Sequence, residues 1–422
     1  MNAGPRIGWY GDDFTGATDT LAVLTQAGLR AMLFLGVPST GRQAAAEHAL
    51  GGALAAVGIA GAARSMDPAA MERELEPVGA YFASLRVPVL HYKVCSTFDS
   101  APGVGNIAVA ARVLRKHVAN DFLPIVGGQP SLGRYCVFSN LFAAAGRGGT
   151  VERIDRHPTM RNHPSTPMAE ADLRQHLALQ GLEPVAAVHY PSYAVGVKAA
   201  AGAVLLDVAS DDDLPEIGRL LWDEAQRERL LAIGASSVAQ ALIAHWRLPV
   251  QAQPALPPAQ GPVLVLAGSL SPVTARQVQA ATSFQRFQVS PAQLLDEASS
   301  SAAASSLARA LREGRNVLAV TAPPEGSAKD SAGGAEIAQA SARFLRQVLR
   351  QHPLRRIGIA GGDTSSLAVQ GLGAWGLSYA GALGPGVALS RVHHDEPALD
   401  GLVVMLKGGQ MGSEDVFEQL AR

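Results

Sequence analysis

The sequence predicts an α/β protein with two domains, each built on a mostly parallel sheet flanked by helices. Three observations support this fold class. Short apolar runs alternate with longer amphipathic stretches, which is typical of strands that alternate with helices. The chain has 422 residues, and domains commonly hold about 100–200 residues. A proline-rich segment past the middle of the chain divides this pattern into two parts.

The predicted elements follow this alternation along the chain. Strands are predicted at Arg6–Tyr10, Ala31–Leu35, Ala53–Ile59, Val89–Val94, Val185–His189, Val204–Asp207, Leu230–Ile233, Val263–Leu266, Asn316–Val320, Arg356–Ala360 and Leu402–Leu406. The longer amphipathic stretches predict helices at Met71–Leu85, Ala171–Leu179, Leu214–Glu228 and Ile337–Arg350.

The domain boundary is predicted in the segment Leu248–Pro262. Five of these fifteen residues are proline and none is charged, which prevents a regular helix and favours an extended linker. We therefore expect domains at residues 1–250 and 260–422. A second break, Pro323–Gly334, is expected to be a surface loop of the second domain.

Composition excludes several classes of function. The formal net charge of −1 provides no general attraction to nucleic acids or to anionic membranes, so we expect neither as a partner. The two cysteines, Cys95 and Cys136, form no CxxC pair and no zinc-like spacing. The low cysteine content and the absence of an apolar N-terminal stretch are typical of a cytoplasmic protein.

The first chemical motif is GDDFTGATD, Gly11–Asp19, which joins the first predicted strand to the apolar helical stretch that follows. Ligands of α/β proteins bind where strands end, and the amides of a helix start favour an anion. One of Asp12 and Asp13, with Asp13 placed first, could orient or deprotonate a hydroxyl, and the other could hold a cation or a sugar hydroxyl. The alternative is that Asp13 or Thr15 only caps a helix.

The second motif is HYKVCSTFDS, His91–Ser100, which also follows an apolar strand. Lys93 would supply a point charge, and Ser96 and Thr97 would supply directional hydroxyl donors for a carboxylate. The alternative is an edge-strand lysine followed by an ordinary cap. Cys95 is expected to be buried or to line the pocket.

The third motif is the proline-rich and basic segment Asp155–Met168. Its arginines and histidines, among them Arg156 and His157, form a positive patch suited to an acidic substrate. Two arginines beside the two histidines oppose a divalent metal. The alternative is an exposed loop.

The second domain carries three glycine-bearing strand ends that together resemble a nucleotide cradle. They are GSLSPVTARQ with Ser269, AGGDT with Gly361, Gly362, Asp363 and Thr364, and KGGQMG with Gly408. Paired glycines let the backbone approach phosphates, and a helix start adds positive potential. Asp363 beside phosphates is a candidate to hold Mg²⁺, directly or through water. No GxxxxGK[ST] P-loop is present.

In combination and order, these motifs are similar to those of the four-carbon acid sugar kinase family. The family's DDFTGA-type loop is matched at Asp12–Ala17, its GGDT motif at Gly361–Thr364, and its terminal strand–Lys–Gly turn at Lys407–Asp415. The segments KVCSTFDS, DRHPTM and HPSTPM resemble the 3-oxo-tetronate kinase branch.

The resemblance implies an ATP- and Mg²⁺-dependent kinase that phosphorylates the terminal hydroxyl of a sugar acid, with 3-oxo-tetronate expected. It implies that the N-terminal domain holds the acid, that the C-terminal domain holds ATP, and that the active site lies in the inter-domain cleft. Alternatives are a threonate or erythronate kinase and a non-catalytic sensor of sugar acid and nucleotide. An oxidoreductase is disfavoured because no GxGxxG follows the first strand. A homodimer is left open.

Overall fold

The computed structural model describes residues 4–145, 148–163, 166–251, 256–269, 271–321, 334–361 and 368–422. The chain separates into two compact units, Met1–Ala252 and Gln253–Arg422. Each unit is an α/β structure, as the sequence predicts. Within the described ranges, no helix is both long enough and apolar enough to cross a membrane.

Unit 1 alternates strands with helices from its first residues. Its strands are β1 (Ile7–Gly11), β2 (Ala31–Phe34), β3 (Ala56–Ala60), β4 (Val89–Lys93), β5 (Phe122–Gln129), β6 (Arg134–Val137), β7 (Asn140–Ala144), β8 (Val151–Arg153), β9 (Val185–Val188), β10 (Gly202–Asp207) and β11 (Leu230–Gly234). Its helices are α1 (Phe14–Gln26), α2 (Thr40–Ala49), α3 (Pro68–Ser84), α4 (Ile107–Arg115), α5 (Leu173–Ala178), α6 (Leu214–Arg227) and α7 (Ser237–Trp246).

The main sheet of unit 1 is parallel, in the order β2-β3-β1-β4-β11-β5-β10-β9. The strands β1, β3, β4 and β11 are buried along their whole length, which explains their continuous apolar character. A small antiparallel ladder, β6-β7-β8, extends from the end of β5. From β1 the chain goes to one side for β2 and β3, and it returns on the other side at β4.

Local sequence explains where the site-bearing helix begins. Asp13 caps α1, and the helix starts at Phe14, whereas the apolar periodicity indicates helix only from Thr20 onward. The residues FTGATD are therefore the first turns of α1 and not a loop. Helix α3 also begins with an aspartate N-cap, Asp67, and Pro68 occupies its first turn.

The described residues of unit 2 form seven strands: β12 (Leu264–Ala267), β13 (Phe284–Gln288), β14 (Asn316–Val320), β15 (Arg356–Ala360), β16 (Gly376–Gly384), β17 (Val387–His393) and β18 (Val403–Lys407). Its helices are α8 (Pro272–Ala280), α9 (Pro291–Leu295), α10 (Glu297–Arg312), α11 (Gly334–Gln351) and α12 (Val416–Ala421), and residues 368–372 are also helical.

The sheet of unit 2 is mixed, in the order β13-β14-β12-β15-β18-β17-β16. Its first five strands are parallel, and β17 and β16 are antiparallel additions. Ala267, Ala360 and Lys407 are aligned across β12, β15 and β18. The loops that follow these residues therefore leave the sheet at one edge.

All eleven predicted strands and all four predicted helices occur in the structure, with bounds that differ by a few residues. The strands missing from the prediction are β5, β6, β7, β8, β13, β16 and β17. The segment Pro323–Gly334, predicted to be a loop, lies outside the described residues except for Gly334, which begins α11.

Candidate active site

The candidate acid site of unit 1 lies at the carboxyl ends of β1 and β4. Gly11 and Lys93 are aligned in register at this edge, and the Asp12 amide donates to the Lys93 carbonyl at 3.0 Å. The strand order changes side here, because the chain continues from β1 to β2 and β3 on one side of it and then to β4 on the other. Such switch points form crevices in which α/β proteins bind ligands.

Both carboxylate oxygens of Asp13 have a partner. Oδ1 accepts the Gly16 amide at 2.9 Å, and Oδ2 lies 3.1 Å from Arg64 Nη2. The expected cap is therefore present, together with an ion pair that the sequence analysis did not anticipate. These two contacts fix the Asp13 side chain against the start of α1 and Arg64.

Asp12 lies in a different environment although it is the adjacent residue. It is 4% exposed, and its Oδ1 is buried without a hydrogen-bond partner. Burial, followed by the negative charge of Asp13, raises the pKa of Asp12 to about 7, although Arg64 and Lys93 oppose the rise. A carboxyl group with a near-neutral pKa and an unused oxygen has the properties of a general base.

The Lys93 ammonium reaches the start of α1. A Cβ on residue 16 would lie 2.5 Å from Lys93 Nζ and 2.5 Å from Asp13 Oδ1, so Gly16 lets both groups occupy this space. Nζ donates to the Val94 carbonyl at 2.6 Å, and an ammonium group has three donors. Lys93 and the positive end of α1 therefore offer a suitable environment for a carboxylate.

The loop after β4 joins this site through Arg64. Thr97 Oγ1 donates to Asp99 Oδ1 and lies 3.0 Å from Cys95 Sγ. Arg64 Nη1 lies 3.8 Å from Asp99 Oδ2, so the guanidinium group bridges the carboxylates of Asp13 and Asp99.

These neighbours set the charge states of the loop. Burial favours a higher pKa for Asp99, but Arg64 and His163 outweigh it and hold the pKa below its usual value. Burial and Asp99 raise the pKa of Cys95 to about 12, so the thiol is protonated at neutral pH. Cys95 is only partly exposed and Ser96 is buried. The loop is thus a polar wall and not a thiolate site.

The other two substrate residues suggested by the sequence lie in different settings. Arg156 is exposed in a 3₁₀ turn, Ile154–Arg156, whereas His157 is fully buried. His157 Nδ1 accepts the amides of Thr159 and Met160 at 3.2 and 3.3 Å. Among the described contacts, neither residue is joined directly to Asp12, Asp13 or Lys93.

The second candidate site is the glycine-bearing edge of unit 2. The amides of Gly268 and Ser269 both donate to the Ala360 carbonyl, at 2.9 and 3.1 Å. The Gly361 amide donates to the Lys407 carbonyl at 3.0 Å, and its φ of 134° suits glycine. The structure therefore brings Ser269, Gly361 and Gly408 to one edge, as the sequence predicts.

Gly409 permits close contact between two of these loops. A Cβ on residue 409 would lie 2.2 Å from Ser269 Oγ and 3.1 Å from Ser271 Cβ. Glycine at 409 therefore lets the turn after β18 lie close to the Ser269 loop, and a close-packed turn of this kind suits a cradle for phosphates. Gly362, Asp363 and Thr364, which were predicted to complete the cradle, lie outside the described residues.

Lys407 is a buried cation at the same edge. Its Nζ donates to Thr274 Oγ1 at 3.1 Å and to the Gly408 carbonyl at 3.0 Å. Thr274 Oγ1 donates in turn to the Gly409 carbonyl at 2.8 Å. Burial lowers the pKa of Lys407 to about 7.

Two residues of the acid site were missed by sequence reasoning. Arg64 follows β3 after Ala60, Gly61 and two alanines, in a stretch without a recognisable motif. Asp99 lies in a motif that was identified, but no role was given to it. The residues that follow β3 lie at the same edge of the sheet as those that follow β1 and β4. This position is the signal that could have identified Arg64.

Comparisons with known proteins match each of the two units to a different domain family. Residues 7–242 match the model of a sugar-binding N-terminal domain, and residues 264–417 match that of a nucleotide-binding C-terminal domain. A polar edge on a sugar-binding domain and a glycine-rich edge on a nucleotide-binding domain define a two-domain sugar kinase. The chain belongs to the four-carbon acid sugar kinase family, whose members are phosphotransferases with an alcohol acceptor.

Relatives of known activity cover nearly the whole chain. A 3-oxo-isoapionate kinase of Paraburkholderia graminis is 37% identical, over 98% of this chain and 94% of its own length. A 3-oxo-tetronate kinase of Methylobacterium radiotolerans is 32% identical, over 97% of each chain.

The fold also occurs in solved structures. A Salmonella typhimurium protein matches with a TM-score of 0.76 at 23% identity, over 99% of this chain and 98% of its own. A Haemophilus influenzae protein matches with a TM-score of 0.69 at 23% identity, over 98% of each chain.

Proposed function

We propose that the protein transfers the γ-phosphoryl group of ATP to the terminal hydroxyl of 3-oxo-tetronate, giving the 4-phosphate. The proposal depends above all on Asp12, a buried carboxyl group with an unpartnered oxygen at the switch point of a sugar-binding domain. A residue with these properties suits proton removal from a hydroxyl.

A second candidate acid is 3-oxo-isoapionate, because the relative named for it has the higher identity of the two. Threonate and erythronate stay alternatives within the family. The retained acidic motif and the retained glycine turns argue against a sensor without activity.

In the proposed reaction, Lys93 and the amides at the start of α1 hold the substrate carboxylate, with Ser96 and Thr97 as neighbouring donors. Asp12 accepts the proton of the attacking hydroxyl while that oxygen bonds to the γ-phosphorus and the bond to ADP breaks. Asp13, fixed by Arg64, positions the start of α1. The geometry therefore favours Asp12 as the base over Asp13, which the sequence placed first.

The nucleotide is proposed to bind along the edge formed by Ser269, Gly361 and Gly408, with Gly362 and Thr364 completing it. The close approach of Gly409 to Ser269 supports a backbone cradle. Asp363 is proposed to hold Mg²⁺, which neutralises phosphate charge during transfer. Arg156 and His157 stay proposals as outer contacts of the acid.

An assay of acid-dependent ADP release tests the proposal. The panel contains 3-oxo-tetronate, 3-oxo-isoapionate, threonate and erythronate, and the phosphorylated carbon is assigned by NMR. We expect turnover with a 3-oxo acid and phosphate on its terminal oxygen. Nucleotide binding without turnover on any acid would instead support the sensor.

A further inference from the structure

A second polar cluster lies farther along α1, outside the residues used above. Asp19 Oδ2 accepts the Ser236 hydroxyl at 2.5 Å and the Gln129 amide group, through Nε2, at 3.1 Å. Thr20 Oγ1 lies 2.9 Å from Ser236 Oγ. The cluster thus joins residues from α1, from the end of β5 and from the loop after β11.

This cluster belongs to the same sheet edge as the candidate acid site. Gly234, at the end of β11, is aligned with Lys93 at the end of β4, and Ser236 follows two residues later. Asp19 is three residues beyond Gly16, so the two lie on one face of α1, about 5 Å apart. Lys93 Nζ contacts that face at Gly16. The cluster therefore lies about one helical turn from the proposed carboxylate position.

The cluster has hydrogen-bonding capacity that the fold does not use. Gln129 is 1% exposed, and its Oε1 is buried without a partner. The described hydrogen bonds of Asp19 are all made by Oδ2. Its Oδ1 accepts no described hydrogen bond, and it does not belong to the buried atoms that lack a partner. The bond from Nε2 to Asp19 fixes which way the Gln129 amide points, since the reverse orientation would place two acceptors together.

We propose that Asp19, Gln129 and Ser236 form a subsite for the hydroxyl on C2 of the acid, next to its carboxylate. The two unused atoms, Asp19 Oδ1 and Gln129 Oε1, are both acceptors, so a group that binds either of them must be a donor. A hydroxyl meets this requirement, and a keto oxygen does not. The inference rests on the proposed function and makes this cluster a determinant of which acids are accepted.

The test compares an acid with its analogue that lacks the C2 hydroxyl. The pair is 3-oxo-tetronate and freshly prepared 4-hydroxy-3-oxobutanoate. Asp19→Asn is expected to raise the KM for 3-oxo-tetronate by about 10- to 100-fold, since a hydrogen bond from the C2 hydroxyl to a charged group is lost. With the analogue, wild type and Asp19→Asn are expected to have the same KM. The KM for ATP should be unchanged with both acids.

Thr18→Val is the matched control, because Thr18 is a buried α1 residue whose hydroxyl, among the described contacts, bonds within its own helix, to the Thr15 carbonyl at 2.9 Å. It should leave the KM values for both acids unchanged. If Asp19→Asn lowers the melting temperature, Gln129→Met serves instead, with the same expected discrimination between the acids.

The outcomes separate this inference from the proposed function. A wild-type enzyme that phosphorylates no acid would refute the proposed function before any variant is made. With wild-type turnover intact, a KM that does not change, or that rises equally for both acids, would overturn the C2 subsite.

Discussion

Asp12 and Asp13 are adjacent in the sequence, yet their surroundings prepare them for different tasks. Each oxygen of Asp13 has a partner, the Gly16 amide or Arg64, whereas Asp12 keeps a buried oxygen without a partner. Two carboxyl groups whose environments differ in this way commonly divide proton transfer and positioning between them. The division can be tested one residue at a time.

Asp12→Asn should lower kcat by about 10²- to 10⁴-fold, because the amide cannot accept a proton. Steady-state kinetics with both substrates measures this, and the KM for ATP should change little. Asp13→Asn is the matched variant; it weakens the cap and the ion pair, so it should raise the KM for the acid and lower the melting temperature. A larger loss of kcat in Asp13→Asn than in Asp12→Asn would restore Asp13 as the base.

Gly16→Ala should reduce kcat/KM for the acid by about 10- to 100-fold without loss of stability. The new Cβ meets the ends of two flexible side chains, Asp13 and Lys93, which can move aside but then leave their working positions. Alanine in a helix is otherwise favoured over glycine by about 1 kcal/mol.

The control for this variant is Gly41→Ala in α2, where a Cβ would meet only Ser39 Oγ at 3.9 Å. It should raise the melting temperature and leave kinetics unchanged. Normal kinetics in Gly16→Ala would show that the space beside Gly16 is not needed for catalysis.

At the scale of elements, α8 holds the turn that follows β18. Gln277 is fully buried, and its Nε2 donates to the carbonyls of Met411, Gly412 and Ser413 at 2.9, 3.2 and 3.0 Å. One side chain thus fixes the backbone that continues from Gly408.

Gln277→Leu should destabilise the protein by about 1–3 kcal/mol and raise the KM for ATP, because buried carbonyls lose their donor. Thermal unfolding and nucleotide titration measure the two effects. Arg276→Ala is the control, since its exposed ion pair with Glu414, 3.0 Å long, joins the same helix to the same segment and contributes about 0–1 kcal/mol. Equal effects of both variants would contradict a specific role for Gln277.

Sequence patterns predicted elements well where periodicity was uninterrupted and failed where glycine or proline interrupted it. The strand β5 reads FLPIVGGQ and lies inside the sheet, although proline and glycine oppose a strand assignment. Its ladder with β11 begins at Ile125, one residue after Pro124. The antiparallel strand β16 contains three glycines, and its register against β17 shifts twice. Its sequence therefore lacks the regular apolar–polar alternation that predicts a strand.

Part of the candidate site was predictable, because several of its residues lie at the ends of apolar strands. In unit 1, Asp12 and Lys93 lie at the ends of apolar parallel strands, which bring them to one edge of that sheet; in unit 2, Gly408 follows an apolar strand in the same way. Arg64 and Asp19 were not found, because one follows a strand end without a motif and the other lies in a helix. Their proximity to the site depends on strand order, which local sequence does not encode.

At the scale of the whole molecule, each unit contains a buried group, Asp12 or Lys407, whose pKa is shifted from its usual range to about 7. Burial is the leading cause for both, but it acts in opposite directions. It raises the pKa of Asp12 to about 7, and it lowers the pKa of Lys407 to about 7. The proposed base, Asp12, therefore becomes able to accept a proton as pH rises through this range, and Lys407, at the proposed nucleotide edge, loses its charge over the same range.

The pH dependence should accordingly differ between the two substrates. The value of kcat/KM for the acid, measured at saturating ATP, should rise with pH through about 7 as Asp12 loses its proton. The value of kcat/KM for ATP, measured at saturating acid, should fall as pH rises above about 7, because Lys407 becomes neutral and attracts phosphates less.

Lys407→Arg separates the two effects, since a guanidinium group keeps its charge throughout this range. The variant should lose the decline in kcat/KM for ATP above neutrality and keep the rise in kcat/KM for the acid. Lys198→Arg, an exposed lysine of unit 1, serves as the control and should behave as wild type in both profiles. An ATP profile of Lys407→Arg that still falls at the wild-type pH would remove Lys407 from nucleotide binding and assign the decline to another group.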